Sequence, residues 1–311
     1  MKPEAGTGSR HGQPAGPRGR TGRSAAVRGP KGDAVSRGFK AFLVPVGVSL
    51  ALVLSGCQSV RTTQGGMVGI DREQRMSVLV SEAQLREGAV QAYSQELARE
   101  RDKGALNPDA AMTARVRNIA NRIIRTTGAF RPDAPAWAWE VNVIRSDQIN
   151  AWCMPGGKIA VYSGLVTRLG LSDDEIAAVV GHEIAHALRE HARERASEQV
   201  TAGLLIQGGA AVVGGGQLAV DMAGLVYKVT FGLPNSRVHE SEADRIGVEL
   251  AARAGYDPRA AISLWQKMER DGGGKGPEWL STHPSAEARI RELGVYAARV
   301  MPLYEQARRA R

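Results

Sequence analysis

His182-Glu183-Ile184-Ala185-His186 reads HEIAH. Two residues four apart on an α-helix differ by about 40° around the axis and about 6 Å along it. Both imidazoles therefore project from one face, where they can hold one zinc ion. Glu183, one residue on, stands beside such a metal and can take a proton from a water bound to it. The pattern has two free positions, so an accident on an amphipathic helix is the competing reading.

The motif needs a helix, and its flanks supply one. Ser172 followed by Glu175 is a capping box, and Asp173, Asp174 and Glu175 place negative charge in the first turn. From Ile176 to Arg195 the chain is rich in Ala, Leu, Glu and Arg, with no proline and no glycine after Gly181. Ile176, Val179, Val180, Ile184 and Leu188 form an apolar stripe. A third ligand decides whether the motif is a metal site. A metzincin would need glycine at 189 and histidine at 192; Arg189 and Ala192 stand there. Downstream, Glu240 and Asp244 are four apart in Ser236-Arg237-Val238-His239-Glu240-Ser241-Glu242-Ala243-Asp244. On a shared helix face Glu240 can ligate zinc while Asp244 orients a ligand histidine. A solvated acidic helix start is the alternative.

Four segments in order resemble the CaaX-prenyl-protease-like HExxH zinc metallopeptidases, in their short bacterial periplasmic lipoprotein branch. They are Asn150-Ala151-Trp152-Cys153-Met154-Pro155-Gly156-Gly157-Lys158-Ile159, HEIAH, Glu240-Ser241-Glu242-Ala243-Asp244, and Ser281-Thr282-His283-Pro284-Ser285 with Arg289-Ile290. The resemblance runs from about Trp137 to Leu293. It implies an α+β, mainly α fold: a zincin-like (gluzincin) metallopeptidase domain with a small β-sheet beside the HEIAH helix. It also implies one Zn2+ per chain held by His182, His186 and Glu240, with Glu183 as general base and Asp244 supporting a ligand histidine. His283 falls where related members carry a histidine that approaches the metal, restrains activity or stabilises the transition state; a turn histidine before a proline is the plainer reading. Arg237 matches a basic position before the ligand glutamate. It either steadies the site or pairs with a neighbouring acid.

The remaining histidines read as bystanders. His239 points away from the Glu240 face. His191, among Arg189, Glu190, Arg193, Glu194 and Arg195, belongs to what reads as a solvated helix face. Trp137 to Ile144 and Lys158 to Tyr162 read as short strands with a turn at Pro155-Gly156-Gly157. In zinc peptidases of this geometry an edge strand lies beside the cleft. Asn150, Ala151 and Trp152 are thus candidates for pairing with an extended substrate by backbone hydrogen bonds. An ordinary hairpin covering the core is compatible with that role. Cys153, in the same stretch, reads as a small buried hydrophobe.

Residues 41–56, AFLVPVGVSLALVLSG, are uncharged and apolar, with Arg37 and Lys40 before them. The run is short for a spanning helix, which needs about 20 residues, and has the form of a signal-peptide core. Leu54-Ser55-Gly56-Cys57 resembles a lipobox. By that resemblance residues 37–57 are a lipoprotein signal peptide and Cys57 is the lipidated residue, with Gln58 favouring the outer membrane of a Gram-negative bacterium. Residues 1–36 are rich in Gly, Arg and Pro and are expected to be a disordered basic extension, with translation starting at Val35. Residues 1–40 hold nine Lys or Arg and two Asp or Glu, leaving only +2 of the chain's +9 beyond them. That is no nucleic-acid signature. With Cys57 lipidated, Cys153 has no partner for an intramolecular disulfide.

Residues 58–74 read as a tether and 75–311 as one catalytic domain. Helices are expected over Arg75–Arg101, Ala110–Arg125, Pro258–Arg270 and Ala286–Arg308, and a flexible loop at Gly272-Gly273-Gly274. The glycine-rich stretch Val200–Leu233 is either a core helix pair, the favoured reading, or a mobile lid. The expected function is zinc-dependent endoproteolysis of misfolded or misassembled envelope proteins in the periplasm. The alternative is a gated or chaperone-like binding factor that keeps the zinc fold.

Overall fold

The computed structural model describes residues 57–206, 221–271, 279–283 and 287–310. The expected basic extension, the signal segment before Cys57, the glycine clusters of 208–216 and Gly272-Gly273-Gly274 lie outside the described residues. The elements are β1 (Cys57–Val60), β2 (Gln74–Ser77), α1 (Glu82–Asp102), α2 (Ala110–Ile124), β3 (Glu140–Ile144), β4 (Ala151–Met154), β5 (Lys158–Tyr162) and α3 (Ser163–Arg168). Then follow α4 (Asp173–Leu188), α5 (His191–Ile206), α6 (Met222–Tyr227), α7 (Arg237–Arg253), α8 (Ala260–Asp271), α9 (Trp279–Thr282) and α10 (Glu287–Arg309). This is the mainly helical, zincin-like architecture that the motifs imply. Among the described residues no helix is long and apolar enough to cross a membrane.

A three-stranded sheet of order β3-β5-β4 divides the core. β3 runs parallel to β5 and β4 antiparallel to it. Alternate side chains point to opposite faces of a strand. Val141, Val143, Ala151, Ile159 and Val161 join one apolar cluster with α2, α4, α7, α8 and α10. Ile144, Trp152, Met154, Ala160 and Tyr162 join a second with Leu85, Ala89, Ala92 and Tyr93 of α1. Covered on both faces, β5 is apolar along nearly its whole length, as a central strand should be. β4 is an edge strand. Its turn to β5 puts Gly156 and Gly157 at φ +79° and +87°, the left-handed region that favours glycine.

α4 is capped as the sequence indicates. The Ser172 side chain accepts from Glu175 N, and Glu175 accepts from Ser172 N. The helix is buried at every residue from Glu175 to Leu188, which explains an apolar character that exceeds one stripe. It crosses α7 at Gly181 and Gly247. A Cβ on Gly247 would lie 2.7 Å from the backbone N of His182, and one on Gly181 would lie 2.8 Å from Gly247 O. That contact brings α7 within reach of the HEIAH residues. Gly247→Ala is therefore expected to push the helices apart and destabilise the fold by about 1–3 kcal/mol, read as a lowered melting temperature. An unchanged melting curve would show that the crossing is not tight.

Five expectations need correction. α4 does not continue to Arg195. It ends at Leu188, Glu190 adopts φ +52°, and α5 starts at His191 in a new direction. Ion pairs from Arg131 and Arg193 hold Glu190 in place. Consequently Arg189, His191, Glu194 and Arg195 are buried, not a solvated face. Residues 58–74 are not a free tether either. β1 pairs with β2, and Thr63, Val68, Ile70 and Gln74 are buried. The Arg75 helix begins only at Glu82, capped by Ser81, because Gln74–Ser77 are taken up by that pairing. The strand expected from Trp137 begins at Glu140, with a 3-10 turn at Ala134–Ala136 before it. Lys158–Tyr162 is a strand over the expected residues.

Candidate active site

α4 and α7, locked at their glycine crossing, carry three of the four residues that converge; the segment after α9 carries the fourth. His182, His186, Glu240 and His283 are all buried, and one ligand atom from each lies within 4.8 Å of the others. His182 Nε2 is 3.1 Å from His186 Nε2 and 3.6 Å from Glu240 Oε2, and His186 Nε2 is 3.4 Å from Glu240 Oε1. A tetrahedral zinc with bonds of about 2.0–2.1 Å sets its ligand atoms about 3.3 Å apart. The three separations fit that edge.

Proton positions follow from the partners. A carboxylate only accepts, so His182 Nδ1–H donates to Asp244 Oδ1 at 3.0 Å, and His182 Nε2 presents its lone pair to the cluster. By the same logic His191 Nε2–H donates to Glu242 Oε2 at 3.0 Å. The His191 Nδ1 lone pair then accepts from His186 Nδ1–H at 2.8 Å, and His186 Nε2 also presents a lone pair. Two lone pairs and one carboxylate facing each other in a buried space form a donor set for a cation.

The electrostatics show a site built for positive charge, where on His182 a metal takes the place of a second ring proton. Burial opposes charge on His182, yet its bonds to Asp244 and Glu240 and their negative field raise its pKa to about 9. Burial lowers His186 well below the usual imidazole value and likewise keeps His191 neutral. Burial works to raise Glu240, but the His283, His182 and His186 rings hold it well below the usual carboxylate range. Arg289 closes the far side. Its Nε and Nη2 donate to the two Asp244 oxygens at 2.7 Å, and its Nη1 lies 2.6 Å from Glu240 Oε2. Asp244→Ala is expected to lower zinc affinity ten- to a hundredfold, measured by competition with a chromophoric chelator. Unchanged affinity would remove Asp244 from the site.

Glu183 is 2% exposed and belongs to the cleft. Trp279 Nε1 donates to its Oε1 at 2.9 Å, and His283 Nε2 lies 3.5 Å from the same oxygen. His283 stacks on Trp279 with ring centroids 4.6 Å apart, while its Nδ1 lies 3.0 Å from Glu240 Oε1 and 3.2 Å from His182 Nε2. It is thus part of the donor cluster, not a turn histidine. Asn150, Ala151 and Trp152 line the same cleft, with Trp137, Leu85 and Phe231. The Ala151 and Trp152 side chains go into the two cores, so only their backbone edge can face a substrate. Cys153 also lines the cleft, only partly buried, with its thiol raised well above the ordinary value by burial.

Arg237 is exposed on the first turn of α7 and stays outside the cluster. His239 lies off the ligand face, as expected. It is buried, donates to Glu194 at 3.0 Å and stacks on His191 with centroids 4.3 Å apart. Behind these rings Arg72 binds both Glu194 (2.7 and 3.0 Å) and Glu242 (2.9 Å twice). Sequence reasoning gave no role to Arg72, His191, Glu242 or Trp279, and quoted Arg289 only as part of a motif. For His191, the repeat of histidine five residues after His186 was the one available signal.

An HEIAH helix, a glutamate from a second helix and a small sheet beside the cleft define a zincin-like metallopeptidase domain. The family model described as "Peptidase family M48" matches residues 110–297. The mitochondrial metalloendopeptidase OMA1 of Schizosaccharomyces pombe is 35% identical over 187 residues, 58% of this chain and 52% of that protein. The OMA1 of Arabidopsis thaliana is 38% identical over 162 residues, 50% of this chain and 31% of that protein. The beta-barrel assembly-enhancing protease of Yersinia pestis is 27% identical over 206 residues, 62% of this chain and 40% of that protein. The chain belongs to peptidase family M48, and the cluster at His182, His186 and Glu240 fits the zinc of that family. The alignments span between about a third and a half of these relatives' lengths.

Proposed function

We propose that this chain is a zinc endopeptidase of a bacterial envelope that cleaves misfolded or misassembled proteins. The observation that carries the reading is the convergence of His182, His186 and Glu240 with Glu183 alongside them on a cleft. When bound there, zinc polarises the scissile carbonyl and brings a water's pKa toward neutrality. Asp244 and His191 keep the two histidines in the tautomer that ligates. Trp279 commits one Glu183 oxygen to a neutral donor, leaving the other to take the water's proton and pass it to the leaving amine. The free edge of β4 can pair with an extended chain by main-chain hydrogen bonds, which favours unfolded substrates over any one sequence.

The envelope location rests on the lipobox-like Leu54-Ser55-Gly56-Cys57 and on the similarity to a beta-barrel assembly-enhancing protease. Lipid on Cys57 would hold the protein on the outer membrane, facing the periplasm. A second reading is favoured by one distance. His283 Nδ1 stands among the ligand atoms, so it can fill the fourth zinc position and close the site. The protein would then be a gated enzyme or a binding factor. Purified protein incubated with unfolded casein, with zinc determined in parallel, tests both. Cleavage supports the endopeptidase. Zinc without cleavage, relieved by His283→Ala, supports the gate. Absence of bound zinc would overturn the ligand assignment.

A further inference from the structure

Three arginines are buried among the described residues, and two are neutralised. Arg189 pairs with Glu242, and Arg289 with Asp244 and Glu240. The third, Arg195 on α5, is 9% exposed and lines the cleft beside Glu183, His186 and His283. Its Nη1 donates to Leu233 O at 2.9 Å, whereas its Nε has no hydrogen-bond partner among the described residues. Asn235, just before α7, lines the same cleft and is 7% exposed. Its Nδ2 donates to Thr282 O at 3.2 Å, and its Oδ1 has no partner among the described residues. A buried donor and a buried acceptor left unmet are both costly, and folded proteins rarely tolerate them without a purpose.

What the two residues lack is what a peptide backbone offers: one carbonyl acceptor and one N–H donor. We propose that Arg195 and Asn235 form a main-chain subsite of the cleft. Arg195 Nε–H donates to a backbone carbonyl of an extended substrate, and Asn235 Oδ1 accepts from a backbone N–H. The subsite complements the β4 edge, supplying side-chain anchors where the strand supplies only backbone. This inference rests on the peptidase reading above.

The test measures binding without turnover. The zinc-loaded full chain carrying Glu183→Gln is titrated into a fluorescein-labelled, end-blocked casein peptide, followed by anisotropy. Arg195→Met is expected to weaken binding about tenfold or more, with Arg195→Lys intermediate. Asn235→Leu, which leaves the Arg195–Leu233 contact in place, is expected to weaken it several-fold, a smaller loss because the acceptor is uncharged. Zinc content should not change; melting temperature should hold in Asn235→Leu, where Thr282 O keeps its bond from Asn235 N, and fall modestly in Arg195→Met, which loses the bond to Leu233 O. In the active background the loss should fall on KM with kcat preserved, as for a contact made equally in ground and transition states. Equal peptide affinity in Asn235→Leu and in a zinc-loaded Arg195 variant would overturn the subsite and leave the peptidase reading standing. A zinc-loaded Glu183→Gln parent that binds no peptide would overturn the peptidase reading, and the subsite with it.

Discussion

Glu183→Gln is expected to keep its zinc and to lose casein cleavage by about two to four orders of magnitude, the range contributed by a positioned general base. The substitution is isosteric. The glutamine carbonyl can still accept from Trp279 Nε1, so the 2.9 Å contact that seats the side chain is preserved. Gone is the capacity to take a proton from water. Glu183 is one residue from His182, and the ligand set of His182, His186 and Glu240 does not include it, so metal content should match the parent. Cleavage rates and zinc stoichiometry measured on the same preparation decide the matter. Activity within tenfold of the parent would show that another group carries the proton.

Glu242→Ala should have the largest effect on stability, about 3–5 kcal/mol, the cost of stranding a buried charge. Glu242 accepts from Arg189 Nη2 at 2.9 Å, from Arg72 Nε and Nη2 at 2.9 Å, and from His191 Nε2 at 3.0 Å. Arg189 is wholly buried and would lose its carboxylate. Losing the His191 partner also frees that ring to turn, so the proton on His186 Nδ1 is no longer fixed. Zinc affinity is expected to fall ten- to a hundredfold as well. Chemical denaturation and chelator competition check the two effects separately. A variant that melts earlier but binds zinc as the parent does would confine Glu242 to a structural role. The sign of the pH dependence follows. Burial would raise the Glu242 carboxyl, but Arg72 and Arg189 hold it below its ordinary value. Its contribution is therefore complete above the unfolded carboxylate pKa of about 4.3, and is lost as pH falls from there through the lower folded value.

The metal motif was legible because its chemistry is local. Spacing four on a helix, a Ser172–Glu175 cap and the Glu240–Asp244 spacing are all set within one element. Lys158–Tyr162 was legible for the same reason. The errors came where local rules yield to distant contacts. Arg189 to Arg195 carries the composition of a solvated helix, and nothing in it announces a break, since Glu190 takes a left-handed φ without glycine or proline. Once the chain turns there, the run of charges swings inward to meet Arg72, Gln74 and Glu242, residues 53 to 122 positions away. Residues 58–74 read as a tether, yet their order comes from β2 and from Phe130, whose carbonyl accepts from Gln64 N. Trp279, Arg195 and Asn235 carry no motif; placement around the cleft gives the last two their meaning, and the bond to Glu183 gives Trp279 its own.

The salt-linked N-terminal segment also separates two boundaries that are easily confused. The stretch that marks kinship with the family begins at residue 110. The stretch that must fold together begins much earlier. Thr62 and Thr63 accept from Arg189, Val68 N donates to Glu249 of α7, and Arg72 bridges Glu194 and Glu242. A truncation drawn at the edge of recognisable kinship would remove all of these and leave behind the buried charges they balance. For anyone dissecting the protein by limited digestion or recombinant shortening, the smallest autonomous unit is therefore set by ion pairing around the metal site and reaches back to about Thr62. The family match covers a shorter span than the one that must fold together.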